Sequence, residues 1–93
     1  MVICAPIQAQ NTWTVDSEFL SVQETMDAFE HVLTSEKKDV DTQWHPEMYL
    51  KVEIWPNGKY RIYFNDKYMN CDDLGHVKFW LKHLLNLYPK YNE

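Results

Sequence analysis

Glycine is scarce in this sequence: Gly58 and Gly75 are the only two among 93 residues. A phosphate-binding loop needs several closely spaced glycines, so loops of that kind are excluded. Neither a Gly-x-Ser-x-Gly motif nor a Cys/His pair at a motif spacing occurs, and we expect no enzyme activity. Apolar runs are also short. None approaches the ~18 residues of a membrane span, so we expect no membrane partner.

Cysteine is scarce as well, with only Cys4 and Cys71. In a small intracellular domain, two cysteines are usually reduced and buried among apolar side chains. Spacing alone leaves open whether the two form a disulfide. The apolar N-terminus is interrupted by Pro6 and lacks the positive charge of a secretory signal. We therefore expect a cytoplasmic protein. The cytoplasm in question could be that of a cell infected by a phage.

Basic residues are few, with 9 against 14 acids and a formal net charge of −5. This balance disfavours a broad phosphate-binding surface. The charge is uneven along the chain, since residues 16–47 contain nine acids and two lysines, whereas residues 48–93 contain five acids and seven bases. The charge balance of residues 48–93 is therefore compatible with a local basic surface.

Hydrophobic residues make up 45% of the chain and aromatic residues 15%, enough for one packed core. We predict a single domain over residues 1–93, with residues 1–11 as an extended or partly flexible N-terminal segment. The sequence Ser21-Val22-Gln23-Glu24 forms a capping box, which begins a helix that ends near Ser35. A polar connection is expected between residues 36 and 46, anchored by Trp44.

The strongest local pattern lies between residues 49 and 71. Leu50, Val52 and Ile54 alternate with more polar residues, Pro56-Asn57-Gly58 predicts a turn, and a second alternating strand follows. A third short strand near residues 68–71 would complete a meander, and a final helix follows it. The predicted fold is a small α+β domain. An antiparallel sheet of three to four strands (49–71) carries two helices, about 22–35 and 73–88, on one face.

Two aromatic patches are candidate contact surfaces. If the apolar residues of the hairpin face the core, then Trp55, Arg61 and Tyr63 face away from it, together with Lys51. Trp, Tyr and Arg are typical anchors of protein interfaces. On the last helix an aromatic ring falls on the polar side, in a patch formed by Gly75, Phe79, Lys82 and His83.

A third candidate surface is acidic. The first helix and the segments around it carry carboxylates that could complement a basic groove on a partner. The predicted members of this acidic face are Asp16, Glu18, Glu24, Asp27, Glu36, Asp39 and Asp41.

Metal and cofactor sites are not expected. His76 and His83 are seven residues apart on the predicted helix, which separates their rings by ~10 Å, too far for one shared ion. Asp27 and His31 are four residues apart but have no third ligand within sequence reach.

Two functions fit these features. The first is a small non-catalytic protein-binding module, such as an inhibitor of a larger nucleic-acid-handling protein with a basic groove. Stand-alone domains without catalytic motifs are common among phage accessory proteins, including anti-restriction and anti-CRISPR inhibitors and immunity proteins. The second is a single-stranded nucleic-acid-binding module that uses the aromatic and basic side of the hairpin. A strand edge within residues 60–71 could also support a homodimer.

Overall fold

A computed structural model describes residues 12–17, 20–45 and 47–87 of the chain. The predicted α+β class, the two helices and the central meander are confirmed, but the sheet has five strands rather than three to four, and it is mixed. The elements in chain order are β1 (Thr12–Thr14), α1 (Val22–His31) followed by a π-helical turn (Val32–Glu36), β2 (Asp39–His45), β3 (Met48–Trp55), a 3-10 turn (Pro56–Gly58), β4 (Lys59–Phe64), β5 (Lys67–Cys71) and α2 (Leu74–Leu87).

Strand order in the sheet follows chain order, β1-β2-β3-β4-β5. The strands β2 to β5 form antiparallel pairs, whereas β1 runs parallel to β2. The prediction of a polar connection over residues 36–46 was therefore wrong, because most of this segment is strand β2. In β2 the residues Val40, Thr42 and Trp44 are buried, and the residues between them point away from the core.

Thr42 is tolerated in the core because its hydroxyl group is hydrogen-bonded. It donates to the Val15 carbonyl at 2.7 Å, and the Ser17 hydroxyl donates to the Gln43 carbonyl at 3.2 Å. A buried hydroxyl costs little free energy when it has such a partner. These bonds also attach the segment after β1 to β2, so the two strands pair without a hairpin.

Both helices pack on the same face of the sheet. Their apolar stripes, which include Phe29 and Leu33 on one side and Val77 and Leu81 on the other, join the inward residues of β2, β3 and β4 in one core. Trp44 is only 4% exposed, and its indole nitrogen donates to the Leu85 carbonyl of α2 at 3.1 Å. Trp44 is thus an anchor, as predicted, but on the helix side of the sheet.

Local signals place the helix ends. The Ser21–Glu24 capping box is present in both directions, with distances of 3.1 Å and 3.0 Å. Asp73 caps α2, since its carboxylate accepts the His76 backbone N–H at 2.9 Å. Leu87, the last residue of α2, lies outside the core and is 57% exposed. None of the helices in the described part of the chain is long and apolar enough to cross a membrane.

Several sequence predictions fall outside the described residues. They are the N-terminal segment 1–11 with its cysteine Cys4, and Glu18 of the acidic face.

Candidate binding surface

The side of the sheet that faces away from the helices carries a continuous set of polar and aromatic side chains. Strand alternation places them there, because their neighbours in sequence fill the core. No helix in the described residues packs on this side. We call this surface the outer face; it consists of Asp39, Asp41, Tyr49, Lys51, Glu53, Trp55, Lys59, Arg61, Tyr63, Tyr68 and Asn70.

Arg61 lies at the centre of the outer face, between two aromatic rings. The carbon of its guanidinium is 4.1 Å from the ring centroid of Trp55 and 4.3 Å from that of Tyr68. Its Nε donates to Oδ1 of Asn70 at 2.8 Å. Two cation–π contacts and one hydrogen bond therefore hold the guanidinium in place.

Glu53 organises the strand beside Arg61. Its carboxylate accepts the Trp55 indole N–H at 2.9 Å, forms an ion pair with Lys51 at 3.4 Å, and accepts a hydrogen bond from Tyr63. Burial alone would raise the pKa of Glu53, but these donors outweigh burial and hold that pKa below its usual value. Glu53 is therefore ionised at neutral pH, and its bonds fix the indole of Trp55.

A second polar pair lies nearer the β2 side of the outer face. The Tyr49 hydroxyl donates to Oδ2 of Asp41 at 2.9 Å. Burial, this hydrogen bond and the negative charge of Asp41 raise the pKa of Tyr49 to about 12. The phenol therefore stays protonated at neutral pH and keeps the carboxylate occupied.

The predicted hairpin patch is brought together on this surface. Trp55 is 40% exposed, and Arg61 and Tyr63 are half-buried beside it. The sequence analysis missed Tyr68 and Asn70, which complete the patch from β5. The pairing of β4 with β5 would have predicted both residues. Once the turn at Asn65 is placed, Asn70 lies opposite Arg61 and Tyr68 lies opposite Tyr63.

The second predicted patch, on the last helix, lies on the other side of the domain. Its members, Gly75, Phe79, Lys82 and His83, are all exposed on α2, and Phe79 is 64% exposed. We call these four residues the α2 patch. The Phe79 ring contacts Trp80 edge-on at 5.4 Å, and Trp80 in turn contacts the His83 ring at 5.5 Å.

The predicted acidic face is divided between two sides of the domain. Glu24 and Asp27 are exposed on α1 and Glu36 is exposed just after it, so these carboxylates lie on the helix side. Asp39 and Asp41 alternate outward on β2 and so belong to the outer face. Asp16 is exposed and lies between β1 and α1.

The two acids of β2 are used within the sheet. Asp39 accepts the Ile54 backbone N–H at 2.9 Å, and Asp41 accepts the Tyr49 hydroxyl. Among the described residues, no group of three or more His, Cys, Asp or Glu side chains is placed to hold a metal ion.

Comparison with protein-family models, curated proteins and solved structures finds no significant match to this chain. The arrangement of its own side chains is therefore the basis for a functional proposal.

Proposed function

We propose that this chain is a non-catalytic protein-binding module that docks on its partner through the outer face of the sheet. The observation that carries the proposal is the stack of Trp55, Arg61 and Tyr68 on a face that no described helix covers. Trp, Tyr and Arg contribute most to protein-interface energies, and side chains already fixed in position lose little entropy on binding.

The charge arrangement on the outer face favours a protein over a nucleic acid. Lys51 is paired with Glu53 at 3.4 Å, and Lys59 is paired with Asp72 at 3.4 Å. Phosphate binding requires bases that can replace counterions along a strand, and paired lysines surrounded by carboxylates are poorly suited to this. Of the three basic residues on the outer face, Lys51, Lys59 and Arg61, only Arg61 has no carboxylate partner among the described residues.

The net charge adds a preference for the kind of protein. A molecule with a formal charge of −5 attracts partners with a positive surface, whichever face finally docks. The exposed Glu24 and Asp27 on α1 contribute to that field. The finer form of the proposal is inhibition of a larger nucleic-acid-handling protein, for example as a phage anti-defence protein.

Site-specific photo-crosslinking in the cell of origin tests the proposal. A benzoylphenylalanine, which keeps an aromatic ring beside Arg61, replaces Tyr68 in one version; it replaces Phe79 in a second and the exposed Gln23 of α1 in a third. We expect a defined protein adduct from position 68 that is lost when Trp55→Ala is added, and none from positions 79 and 23. Equal adducts from all three positions, or an adduct from position 79 alone, would overturn the proposal.

The nucleic-acid alternative is tested by fluorescence. Single-stranded oligonucleotide is added at low salt, and the emission of the wild-type chain is compared with that of Trp55→Phe. Stacking of a base on Trp55 would quench the wild-type signal more strongly than the variant signal. We expect no such difference; a clear one, weakened by salt, would favour nucleic-acid binding instead.

A further inference from the structure

A pocket of about 330 Å³ opens at the end of the sheet where β3, β4 and β5 meet. The residues that line it are Trp55, Lys59, Tyr60, Arg61, Asn70, Cys71 and Asp72. The pocket thus combines a flat apolar wall with several polar groups, which is the usual composition of a ligand site.

Arg61 projects donors that no described group occupies. Its Nε is bonded to Asn70, but neither terminal nitrogen of the guanidinium has an acidic partner among the described residues. The contacts with Trp55 and Tyr68 restrict the movement of the guanidinium. A guanidinium in this state presents two parallel N–H groups, the geometry that matches a carboxylate.

The acid that lies nearest to Arg61 in the strand pairing forms its contacts with other residues. Glu53 lies directly opposite Arg61 in the pairing of β3 with β4. Its carboxylate is nevertheless occupied by the indole of Trp55, the ammonium of Lys51 and the hydroxyl of Tyr63. The strands therefore leave an arginine without its expected internal counter-ion.

The remaining polar groups of the pocket do not supply that counter-ion. Asp72 is paired with Lys59, so the two charges cancel. Oδ1 of Asn70 accepts from Arg61, which leaves the amide nitrogen of Asn70 as a further donor. Burial, and then the charges of Asp72 and Asp73, raise the pKa of the Cys71 thiol, so it stays neutral and adds no negative charge.

We propose that this pocket binds a carboxylate group that the docked protein carries beside a flat apolar group. The carboxylate pairs with the terminal nitrogens of Arg61 and with the Asn70 amide, and the apolar group covers the exposed part of Trp55. This inference rests on the proposed function, because the carboxylate belongs to a protein docked on the outer face. One acidic group on an otherwise basic partner would fix the register of docking.

A carboxylate suits the pocket better than a phosphate. The pocket offers the exposed part of the Trp55 indole beside the guanidinium of Arg61, and inorganic phosphate has no apolar part to cover that indole. Inorganic phosphate is therefore a suitable negative probe.

The experiment titrates four probes into the isotope-labelled chain and follows the N–H signals of Trp55 and Arg61. N-acetylphenylalanine has a terminal carboxylate and N-acetyl-Glu-Phe-amide a side-chain carboxylate. N-acetylphenylalaninamide and inorganic phosphate are the controls. A charge-assisted hydrogen bond is worth enough to change affinity about tenfold or more. We expect at least one carboxylate probe to bind about tenfold more tightly than both controls, and the better of the two identifies the source.

Three variants locate the effect. Arg61→Gln should abolish probe binding, whereas Lys82→Gln, which removes one positive charge from α2, should leave it unchanged. Asn70→Asp places a carboxylate beside Arg61 and should block binding while the fold is retained, so the test stands even if Arg61→Gln unfolds. Equal binding of acid and amide, equal binding of phosphate, or full binding by Asn70→Asp would overturn the inference.

Failure here is distinguishable from failure of the proposed function. If photo-crosslinks form at position 68 but no carboxylate probe binds, the docking surface stands and the pocket assignment is wrong. If the probes bind but no protein adduct forms at position 68, the pocket is a carboxylate site and the docking proposal is wrong.

Discussion

The outer face and the α2 patch both expose aromatic rings, but they differ in how those rings are held. On the outer face Trp55 is fixed by a hydrogen bond to Glu53 and by the guanidinium of Arg61. On α2 the ring of Phe79 makes an edge contact with Trp80 and no other ring contact within residues 12–17, 20–45 and 47–87. An exposed ring alone is common on protein surfaces, whereas rings held in a polar network are prepared to bind. This difference favours the outer face over the α2 patch as the proposed binding surface.

Arg61→Ala should have the largest effect on stability among the surface changes. It removes two cation–π contacts and one hydrogen bond, together worth about 2 kcal/mol of unfolding free energy. Lys82→Ala makes the same change in net charge on α2 and should cost less than about 0.5 kcal/mol. Urea unfolding measures both. Equal losses for the two variants would remove the distinction between the surfaces.

Thr25→Val should raise stability without touching the outer face. The Thr25 hydroxyl is fully buried in α1 and has no hydrogen-bond partner among the described residues. Replacing it with a methyl group of similar shape should add about 1 kcal/mol to the unfolding free energy. Denaturation and the N–H shift of Trp55 are measured together. A gain in stability with an unchanged shift is expected; a loss of stability would contradict it.

Alkaline pH should remove the stability contributed by the Tyr49–Asp41 pair on the outer face. The pKa of Tyr49 is about 12 in the folded chain against 10.0 for the unperturbed phenol, so the folded state retains a proton that the unfolded state loses. The contribution of Tyr49 is therefore complete below pH 10 and is lost as the pH rises towards 12. Tyr49→Phe should show a smaller fall over this range. Identical pH profiles of stability for the two chains would contradict the role of the Asp41 pair.

Phe79→Ser should have the smallest effect. The ring is 64% exposed and lies outside the core, so we expect a stability change within about 0.5 kcal/mol. Carboxylate-probe binding and crosslinking from position 68 should also be unchanged. Loss of either by Phe79→Ser would transfer the binding role to α2.

Local sequence patterns predicted much of the fold. The capping box at Ser21 and the alternation of Leu50, Val52 and Ile54 depend on neighbouring residues, and both are present as expected. Strand β2 was missed because its inward positions include a threonine and its outward positions include two aspartates, and aspartate is depleted in strands. Its parallel pairing with β1 depends on bonds such as Thr42 to Val15, 27 residues apart, which no local pattern shows.

The candidate site was predicted only in part for the same reason. Trp55, Arg61 and Tyr63 follow from alternation within one hairpin. Tyr68 and Asn70 require the register of a third strand, and the position of Lys51 against Glu53 requires side-chain geometry. The acidic face was divided because α1 and β2 present their carboxylates on opposite sides of the sheet, which a charge count along the chain cannot show.

Side-chain relaxation measured by NMR tests the central claim most directly, namely that the outer face is organised before any partner binds. The Nε–H of Arg61 and the indole N–H of Trp55 are compared with the ring of Phe79 in the same sample. We expect order parameters of about 0.8 or more for the first two, near those of rigid backbone, and about 0.6 or less for Phe79. A mobile Arg61, with an order parameter as low as that of Phe79, would contradict the claim.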